Sequence, residues 1–379
     1  MGKKVFCMMS GGVDSSVAAA LLVQEGYRVE GVFMKNWSPS SIQSLSDCPW
    51  LEDQKDAEAV CQKLGIPFQS VNFEKEYRQS VVEYFLSEYR AGRTPNPDVM
   101  CNREIKFGIF LNWARSNGAD FVASGHYVCL KRDAHIGTSL HRGVDSNKDQ
   151  SYFLWTLTQD QLKYCLFPIG HLKKMRVRQI AKSLNLSTAE KKDSQGICFI
   201  GAINVGQFLR SEISAKPGDV IGPNNQVIGR HDGAVYYTVG QRHGFKLTNT
   251  KVLSALYQNK DIPPLFVVEK DVENNLIIVG EADDPRLYKT KMIVSDLNWV
   301  SGRDTLQRVS TIRNISAQIR YRQQPVGIAH IQPLSTDYSK LIIKFLQPVR
   351  AVASGQSIVF YQEEQMLGGG IIDQLLTSK

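Results

Sequence analysis

The chain has 379 residues, of which 42% are hydrophobic and 22% are charged, as in soluble globular proteins of two or three domains. It has no apolar stretch long enough for a signal peptide or a membrane span, no internal repeat and no low-complexity segment, so we expect a cytoplasmic protein. The formal net charge of +8 permits a polyanionic partner such as nucleic acid but does not require one.

The seven cysteines do not form a disulfide framework, because their number is odd and their spacing irregular. Neither a C-x-x-C pair nor a zinc-binding Cys/His spacing occurs. Most of the cysteines lie in apolar patterns and are predicted to be core residues, with Cys7 in a strand and Cys61 and Cys165 in helices. Cys101 and Cys198 differ, because both lie in polar stretches that are typical of loops.

The first tight turn of the chain joins a predicted strand to a predicted helix. The apolar run 5–9 is followed by Ser-Gly-Gly-Val-Asp-Ser-Ser at positions 10–16. The two glycines permit positive φ and a close approach of the backbone to a ligand, and the last two serines add hydroxyls to the free N–H groups of the helix start. This arrangement predicts a binding site for phosphate.

The turn resembles the pyrophosphate loop of the ATP pyrophosphatases, which split ATP into AMP and pyrophosphate. It contains no lysine, so it is not the G-x-x-x-x-G-K-[ST] loop of ordinary NTPases, and the chain has no G-x-G-x-x-G motif. The resemblance implies ATP and Mg²⁺ as cofactors, with Asp14 helping to hold the metal. The residues that it assigns to ATP are Met8, Met9, Ser10, Gly11, Gly12, Val13, Asp14, Ser15, Met34 and Gly125.

Strands and helices alternate through the first third of the chain. The patterns predict three further strands and two long helices, at 27–34, 68–73 and 119–123 and at 53–64 and 75–90 respectively. Such alternation predicts a parallel sheet with helices on both faces, whose ligand lies beyond the carboxyl ends of the strands. The phosphate-binding turn and Met34 both fall at such ends.

The stretch 92–102 reads Gly-Arg-Thr-Pro-Asn-Pro-Asp-Val-Met-Cys-Asn. Two prolines that bracket an asparagine should impose an extended, stiff path, so Asp98 and Cys101 are predicted to lie on a rigid loop. By itself this is also compatible with an ordinary connector between helices. Together with the pyrophosphate loop, however, the stretch resembles the tRNA-specific 2-thiouridylases, which place sulfur on the wobble uridine of certain tRNAs.

Further stretches extend this resemblance over nearly the whole chain. They are Ser-Gly-His-Tyr at 124–127, Asn-Lys-Asp-Gln-Ser-Tyr at 147–152, and Lys-Asp-Ser-Gln-Gly-Ile-Cys-Phe-Ile-Gly at 192–201. From the residues alone, Lys148 and Gln150 are explained as part of a solvated loop. The residues that the resemblance assigns to tRNA contact are Asn96, Pro97, Asp98, His126, Lys148, Asp149, Gln150, Arg320, Tyr321 and Gln356.

A capping box at 158–161 and a basic helix predicted at 173–184 follow. Beyond Ile213 the sequence pattern changes. Short apolar runs between frequent turns then indicate small β-structure, and longer runs from Lys291 onward predict an antiparallel barrel or sandwich. We therefore predict an α/β protein whose first part is a parallel-sheet nucleotide-binding domain similar to the adenine nucleotide alpha hydrolases. It is followed by a small central β-rich domain and a C-terminal antiparallel β-barrel that binds tRNA, with the domains at 1–203, 204–288 and 289–379. The stretch 243–260 departs from the family pattern.

Replacing a carbonyl oxygen by sulfur requires a leaving group on the oxygen and a sulfur nucleophile. Adenylation of uridine O2 supplies the leaving group as AMP, which explains the pyrophosphate loop. The resemblance implies that Cys198 carries a persulfide loaded by a donor protein, and that Cys101 frees the sulfur by forming a Cys101–Cys198 disulfide. It makes Asp98 a general acid or base, and it suggests the tRNAs for Lys, Glu and Gln as substrates. Cationic surroundings such as Lys192 would favour the Cys198 thiolate.

Three alternatives remain open at the level of sequence. Asp98, Cys101 and Cys198 are also a possible ligand set for an iron–sulfur cluster, which we rank second. The pyrophosphate loop alone equally fits a carbon–nitrogen ligase, although that function leaves both cysteines unused. A tRNA-binding factor without catalysis would not need the intact loop. Pyrophosphate release that depends on tRNA would separate the enzymatic and binding functions.

Overall fold

The computed structural model describes residues 2–38, 49–134, 137–193, 205–258, 260–300, 314–334, 336 and 338–376. Within these ranges, no helix combines the length and the apolar character needed to cross a bilayer.

The strands fall into three sheets. In chain order they are β1 (Lys4–Met8), β2 (Arg28–Lys35), β3 (Phe68–Asn72), β4 (Phe121–Ala123), β5 (Val128–Asp133), β6 (Gly137–Arg142), β7 (Cys165–Leu166), β8 (Gly218–Ile221), β9 (Val227–His231), β10 (Lys246–Leu247), β11 (Phe266–Asp271), β12 (Leu276–Gly280), β13 (Tyr288–Trp299), β14 (Ile315–Gln318), β15 (Val326–Pro333), β16 (Leu341–Arg350), β17 (Ser357–Gln362) and β18 (Gln365–Leu376).

Most helices belong to the first half of the chain. They are α1 (Val13–Gln24), α2 (Pro49–Leu64), α3 (Glu74–Tyr77), α4 (Glu83–Arg90), α5 (Pro97–Met100), α6 (Phe110–Ser116), α7 (Gln159–Leu162), α8 (Lys174–Ser183), α9 (Val205–Glu212) and α10 (Thr250–Tyr257). The π-helical segment Arg78–Val82 joins α3 to α4, and Cys101–Ile109 joins α5 to α6. The helices predicted at 53–64, 75–90 and 173–184 are therefore present, the second with a π-helical turn.

The first sheet is parallel throughout, with the strand order β3-β2-β1-β4-β7. Alternate side chains of β1 enter two different cores, because successive residues of a strand point to opposite faces. Phe6 and Met8 lie in one core, and Val5 and Cys7 lie in the other. This confirms the predicted parallel sheet that is buried on both faces.

The central sheet is small and has the order β10-β9-β8-β12-β11. Its strands pair antiparallel except β8 and β12, which are parallel. Its core contains Val220, Ile228, Val267 and Ile277. The structure thus has a β-rich unit between the first sheet and the barrel.

The last sheet contains a closed antiparallel barrel of β13, β16, β15, β14, β17 and β18, in which β18 pairs back onto β13. The predicted barrel is confirmed. Apolar runs alone do not predict β15, because polar residues interrupt its pattern. The apolar runs also do not predict that the hairpin β5–β6, from the first part of the chain, extends this sheet by pairing β6 with β18.

The prediction of a helix around Cys165 is wrong. The capping box at Thr158 is present, but the helix that it starts ends at Leu162. Cys165 then lies in β7, which pairs with β4 at the edge of the first sheet. Pairing with the sheet decides the conformation here, because a two-residue strand is too short to show a period in the sequence.

Candidate active site

The phosphate loop, residues 10–16, lies at the carboxyl end of β1 and leads into α1. Gly11 has φ +71°, and a Cβ at this position would lie 2.2 Å from the carbonyl oxygen of Asp53, so only glycine fits. The Ser15 hydroxyl lies 3.2 Å from the backbone nitrogen of Ser10 and 3.2 Å from its hydroxyl. These contacts join the first residue of the loop to the first turn of α1 and keep the loop compact.

The residues predicted to bind ATP come from neighbouring strand ends. Met8 and Met9 are buried just before the loop, Val13 is buried within it, and Met34 is half-buried at the end of β2. Gly125 follows β4, and a Cβ there would lie 2.7 Å from the Ser15 nitrogen. The structure therefore brings the ends of β1, β2 and β4 to one edge of the sheet, beside the loop.

The carboxylate of Asp14 has partners that the sequence did not reveal. The Tyr127 hydroxyl donates a hydrogen bond to Asp14 Oδ1 at 2.7 Å. Lys174 Nζ donates to both carboxylate oxygens, at 2.7 and 2.8 Å. A lysine from the start of α8 thus lies beside a loop that contains none.

Asp193 binds three cationic side chains, one from the loop after β6 and two from α8. Its carboxylate accepts from Lys148 Nζ at 2.5 Å, from Lys174 Nζ at 2.8 Å and from Arg178 at 2.8 Å. Partial burial raises the pKa of Asp193, but the hydrogen bonds from Lys148 and Lys174 outweigh it and lower the pKa to about 2. Asp193 is therefore ionised at neutral pH. It links the predicted tRNA-contact residue Lys148 to Asp14 through Lys174.

The predicted rigid loop around Cys101 is wrong. Asn96 caps α5 by accepting a hydrogen bond from the Val99 backbone nitrogen at 3.3 Å, and Pro97 occupies the first helical turn. Proline fits there because no intrahelical N–H bond is required. Asp98 and Cys101 consequently lie on a helix, where Asp98 is half-buried and Cys101 is 1% exposed.

This helix places Cys101 at the same end of the sheet as the phosphate loop. From α5 it runs through the π-helical segment and α6 into β4, packing on the sheet with Trp113 5.4 Å from Phe6. A helix that leads into a strand of a parallel sheet runs antiparallel to it, so its first residues lie beyond the carboxyl ends of the strands. Cys198 and residues 194–204 lie outside the described residues.

His126 is buried and has a defined environment. Its Nδ1 lies 2.7 Å from the Ser124 hydroxyl, and its ring contacts Phe107 and Phe167. Burial, with a smaller contribution from the charge of Lys106, lowers its pKa well below the usual range. The imidazole is therefore neutral at physiological pH, and its predicted contact with tRNA stays a prediction.

Asp149 and Gln150 hold the protein's own backbone. Asp149 accepts from the backbone nitrogens of Gly143 and Ser151, at 2.9 and 3.1 Å, and from Arg142 at 3.0 Å. Gln150 accepts from the Tyr127 nitrogen through its side chain at 3.0 Å. Contact of these two residues with tRNA stays a prediction, whereas these bonds give both of them a structural role.

The barrel residues predicted to bind tRNA contact backbone from the first part of the chain and from the central unit. Gln356 donates to the carbonyl oxygens of Thr94 and Pro95, at 2.8 and 3.1 Å. Arg320 donates to the carbonyl oxygens of Val239 and Ala351, at 3.2 and 2.6 Å. Together with residues 238–241, Arg320 and Gln356 line a pocket of ≈ 260 Å³.

Tyr321 is half-buried beside the same pocket residues and packs on another aromatic ring. Its ring centroid lies 4.5 Å from that of Phe153. The exposed guanidinium of Arg322 lies 5.1 Å from the centre of the Tyr321 ring. A ring and a cation are thus adjacent on this surface, as at sites that stack RNA bases.

Comparison with known proteins covers the chain from end to end. Family models described as tRNA methyl transferase HUP domain, tRNA methyl transferase PRC-barrel domain and Aminomethyltransferase beta-barrel domain match residues 3–202, 206–281 and 289–372. The tRNA-specific 2-thiouridylase MnmA of Shewanella putrefaciens (strain CN-32) is 49% identical over 377 residues, which are 99% of this chain and 97% of the relative. The chain belongs to the tRNA-specific 2-thiouridylase family.

Further comparisons give a second relative with the same name and a distantly similar solved structure. A second member of the 2-thiouridylase family, from Shewanella sp. (strain MR-4), is 48% identical over 379 residues, which are 99% of this chain and 97% of the relative. Among solved structures, a 4-thiouridine synthetase bound to RNA and ATP matches 56% of this chain and 50% of its own, with 16% identity and a TM-score of 0.35.

Sequence reasoning assigned no role to Tyr127, Lys174 or Asp193. Tyr127 and Lys174 are 113 and 160 positions from Asp14 in the sequence, so no local motif of this 2-thiouridylase family member links them. The available signals were weak. Tyr127 follows the Gly-His pair, and Lys174 starts the basic helix.

Proposed function

We propose that this chain catalyses ATP-dependent 2-thiolation of the wobble uridine, U34, of tRNA, giving 2-thiouridine, AMP and pyrophosphate. The observation that carries the proposal is similarity along 99% of the chain to relatives named for this reaction. The phosphate loop and the helix that bears Asp98 and Cys101 support it, because they share one edge of the first sheet.

The residues around the phosphate loop fit a nucleotide triphosphate. Gly12 caps α1, and among the described residues no side chain takes the place of a cap, so the first N–H groups of the helix are available to an anion. The Asp14 carboxylate is the kind of oxygen ligand that Mg²⁺ accepts together with phosphate oxygens. When bound, Mg²⁺ would neutralise phosphate charge and favour departure of pyrophosphate.

The sulfur step requires two cysteines with different tasks. The terminal sulfur of a persulfide on Cys198 attacks C2 of the adenylated uridine, and AMP leaves with the former O2. The Cys101 thiolate then attacks Cys198 Sγ and breaks the sulfur–sulfur bond, which leaves the transferred sulfur on C2. The two cysteines end as a disulfide, and an external thiol reductant must supply two electrons to restore them. Asp98, three positions before Cys101, acts as the general base that takes the proton of the Cys101 thiol before the thiolate attacks.

The partners follow from this chemistry. A persulfide-carrying donor protein must load Cys198. The formal charge of +8 favours binding of a polyanion such as tRNA. We propose the tRNAs for Lys, Glu and Gln as the substrates. The predicted contact residues come from two parts of the chain. Those from the part that contains the first sheet are Asn96, Pro97, His126 and Lys148, and those from the barrel are Arg320, Tyr321 and Gln356. We propose a cytoplasmic location, where these tRNAs are found.

Mass analysis of tRNA nucleosides tests the proposal directly. The purified protein is incubated with unmodified tRNA, ATP, Mg²⁺ and a persulfide source, and 2-thiouridine is quantified beside the AMP and pyrophosphate released. We expect one AMP for each 2-thiouridine, and both products to depend on tRNA. Pyrophosphate release without tRNA, on a small carboxylate or carbonyl substrate, would indicate a carbon–nitrogen ligase instead. tRNA binding without either product would indicate a non-catalytic binding factor.

A further inference from the structure

Lys174 supplies the positive charge that the phosphate loop lacks in its own sequence. Residues 10–16 contain no lysine or arginine, yet Lys174 Nζ lies within 2.8 Å of both oxygens of Asp14 in that loop. The side chain of Lys174 is only 12% exposed. An ammonium group kept this far from solvent is held in place for its charge, because a free lysine would reach into water.

Both ends of Lys174 are fixed. Its backbone nitrogen donates to Asp145 Oδ2 at 2.8 Å, which satisfies one of the free N–H groups at the start of α8. Its ammonium donates to Asp193 Oδ1 at 2.8 Å and lies 5.9 Å from the centre of the Tyr127 ring. A lysine normally loses much rotamer entropy when it binds a ligand, and these contacts remove that entropy beforehand.

Asp193 is itself held by cations other than Lys174. Lys148 and Arg178 approach the same carboxylate from the loop after β6 and from α8. Asp193 therefore keeps its charge and its place when the opposite side of Lys174 changes partner. An ammonium has three donors, so the bond to Asp193 leaves two that point toward the phosphate loop.

We propose that Lys174 is a phosphate-binding residue of the ATP site and that Asp193 is its positioning residue. The proposal rests on the proposed function, because it assumes that the loop binds ATP. With Mg²⁺ and ATP bound, Asp14 would hold the metal, and the two donors of Lys174 that Asp14 occupies here would bind oxygens of the triphosphate. Lys174 thereby recognises the β- and γ-phosphates, which AMP lacks.

Nucleotide affinity in the absence of tRNA tests this assignment. Dissociation constants for ATP and for AMP are measured, with Mg²⁺ present, for Lys174→Ala, Asp193→Asn and the matched control Lys173→Ala, which alters the exposed neighbouring lysine. Loss of a charge-assisted hydrogen bond to phosphate predicts ATP binding weaker by roughly 10- to 100-fold in Lys174→Ala. We expect AMP affinity to change less than about twofold, Asp193→Asn to show a smaller loss for ATP, and Lys173→Ala to match the wild type.

A double variant separates contact with phosphate from simple neutralisation of Asp14. Lys174→Ala is repeated in an Asp14→Asn background, where no carboxylate remains for the lysine to neutralise. If Lys174 contacts phosphate, it still weakens ATP binding there, and a loss that disappears overturns the proposal. Equal losses for ATP and AMP in a protein with a wild-type melting profile would also overturn it. Should Lys174→Ala not fold, unchanged ATP affinity in Asp193→Asn has the same force.

These outcomes are distinguishable from failure of the proposed function. A wild-type protein that forms no 2-thiouridine but loses ATP affinity on Lys174→Ala would contradict the thiolation proposal and support the phosphate contact. Full thiolation with ATP affinity independent of Lys174 would do the opposite.

Discussion

Cys101 combines two requirements that oppose each other. The fold must hold its side chain in place, and its thiol must still be able to react. Cys101 is 1% exposed and lies in the apolar cluster beside the first sheet, although it is the proposed partner thiol. It lies at the start of the π-helical segment Cys101–Ile109. Burial protects such a thiol from other oxidants until substrate and persulfide are present.

The two cysteines should not be interchangeable. Cys198→Ser removes the site of the persulfide, so we expect neither sulfur loading from a donor nor 2-thiouridine. Cys101→Ser should still load sulfur on Cys198 but should fail to release it, because the attacking thiol is absent. Radiolabelled persulfide on the isolated protein, followed by peptide mapping, measures loading separately from product formation.

Two outcomes would contradict this division of roles. One is a persulfide on Cys101 rather than on Cys198, and the other is full activity in either serine variant. If an iron–sulfur cluster acts instead, each variant should lose bound iron, and the anaerobically purified wild type should show charge-transfer absorption.

At the scale of elements, the helix that carries Asp98 and Cys101 begins with a cap. Asn96 accepts from the Val99 nitrogen, and Pro97 follows at the first helical position. Pro95 and Pro97 alone predict a loop, whereas Asn96 between them caps a helix. The chemistry of the helix start therefore decides where the proposed acid–base residue and thiol lie.

Removing this cap should weaken the helix and misplace both residues. For Asn96→Ala we expect a loss of about 1 kcal/mol in the free energy of unfolding, together with slower thiolation. Asn96→Asp is the matched control, because aspartate also caps helices well and should restore stability. Urea denaturation measures the first effect and nucleoside analysis the second. Thiolation lost equally in both variants, with stability restored in Asn96→Asp, would show that the Asn96 amide acts beyond capping, as its predicted contact with tRNA requires.

Several features of the elements could be predicted from sequence for stated physical reasons. The phosphate loop, the parallel sheet and the barrel follow from strong local signals, namely glycines between an apolar strand and a helix, alternation of strands and helices, and apolar runs separated by turns. The hairpin β5–β6 could not be assigned to the barrel, because pairing of β6 with β18 is a contact across more than 200 positions. The Lys174–Asp14 pair could not be predicted either, because the two residues are 160 positions apart in the sequence.

At the scale of the molecule, polar contacts tie the barrel to the rest of the chain. Gln356 reaches the backbone of Thr94, and the Ser151 hydroxyl lies 3.0 Å from that of Tyr361. Arg320 joins the barrel to the central unit through the carbonyl oxygen of Val239. The predicted tRNA-contact residues of the barrel are thus also the residues that fix its orientation toward the catalytic edge.

Two neighbouring arginines allow these roles to be separated. Burial lowers the pKa of Arg320, and its guanidinium is bonded to two backbone carbonyl oxygens, whereas Arg322 is exposed beside the Tyr321 ring. We expect Arg322→Ala to leave the melting temperature unchanged and to reduce the slope of log affinity for tRNA against log salt by about 1, since one phosphate contact is lost. Arg320→Ala should lower the melting temperature, because the two carbonyl oxygens lose a buried charged donor. Filter binding of tRNA over a range of salt concentrations, with thermal melts of each variant, provides both readouts. A salt slope that is unchanged in Arg322→Ala but reduced in Arg320→Ala would contradict a phosphate contact at Arg322 and would support the predicted contact of Arg320 with tRNA.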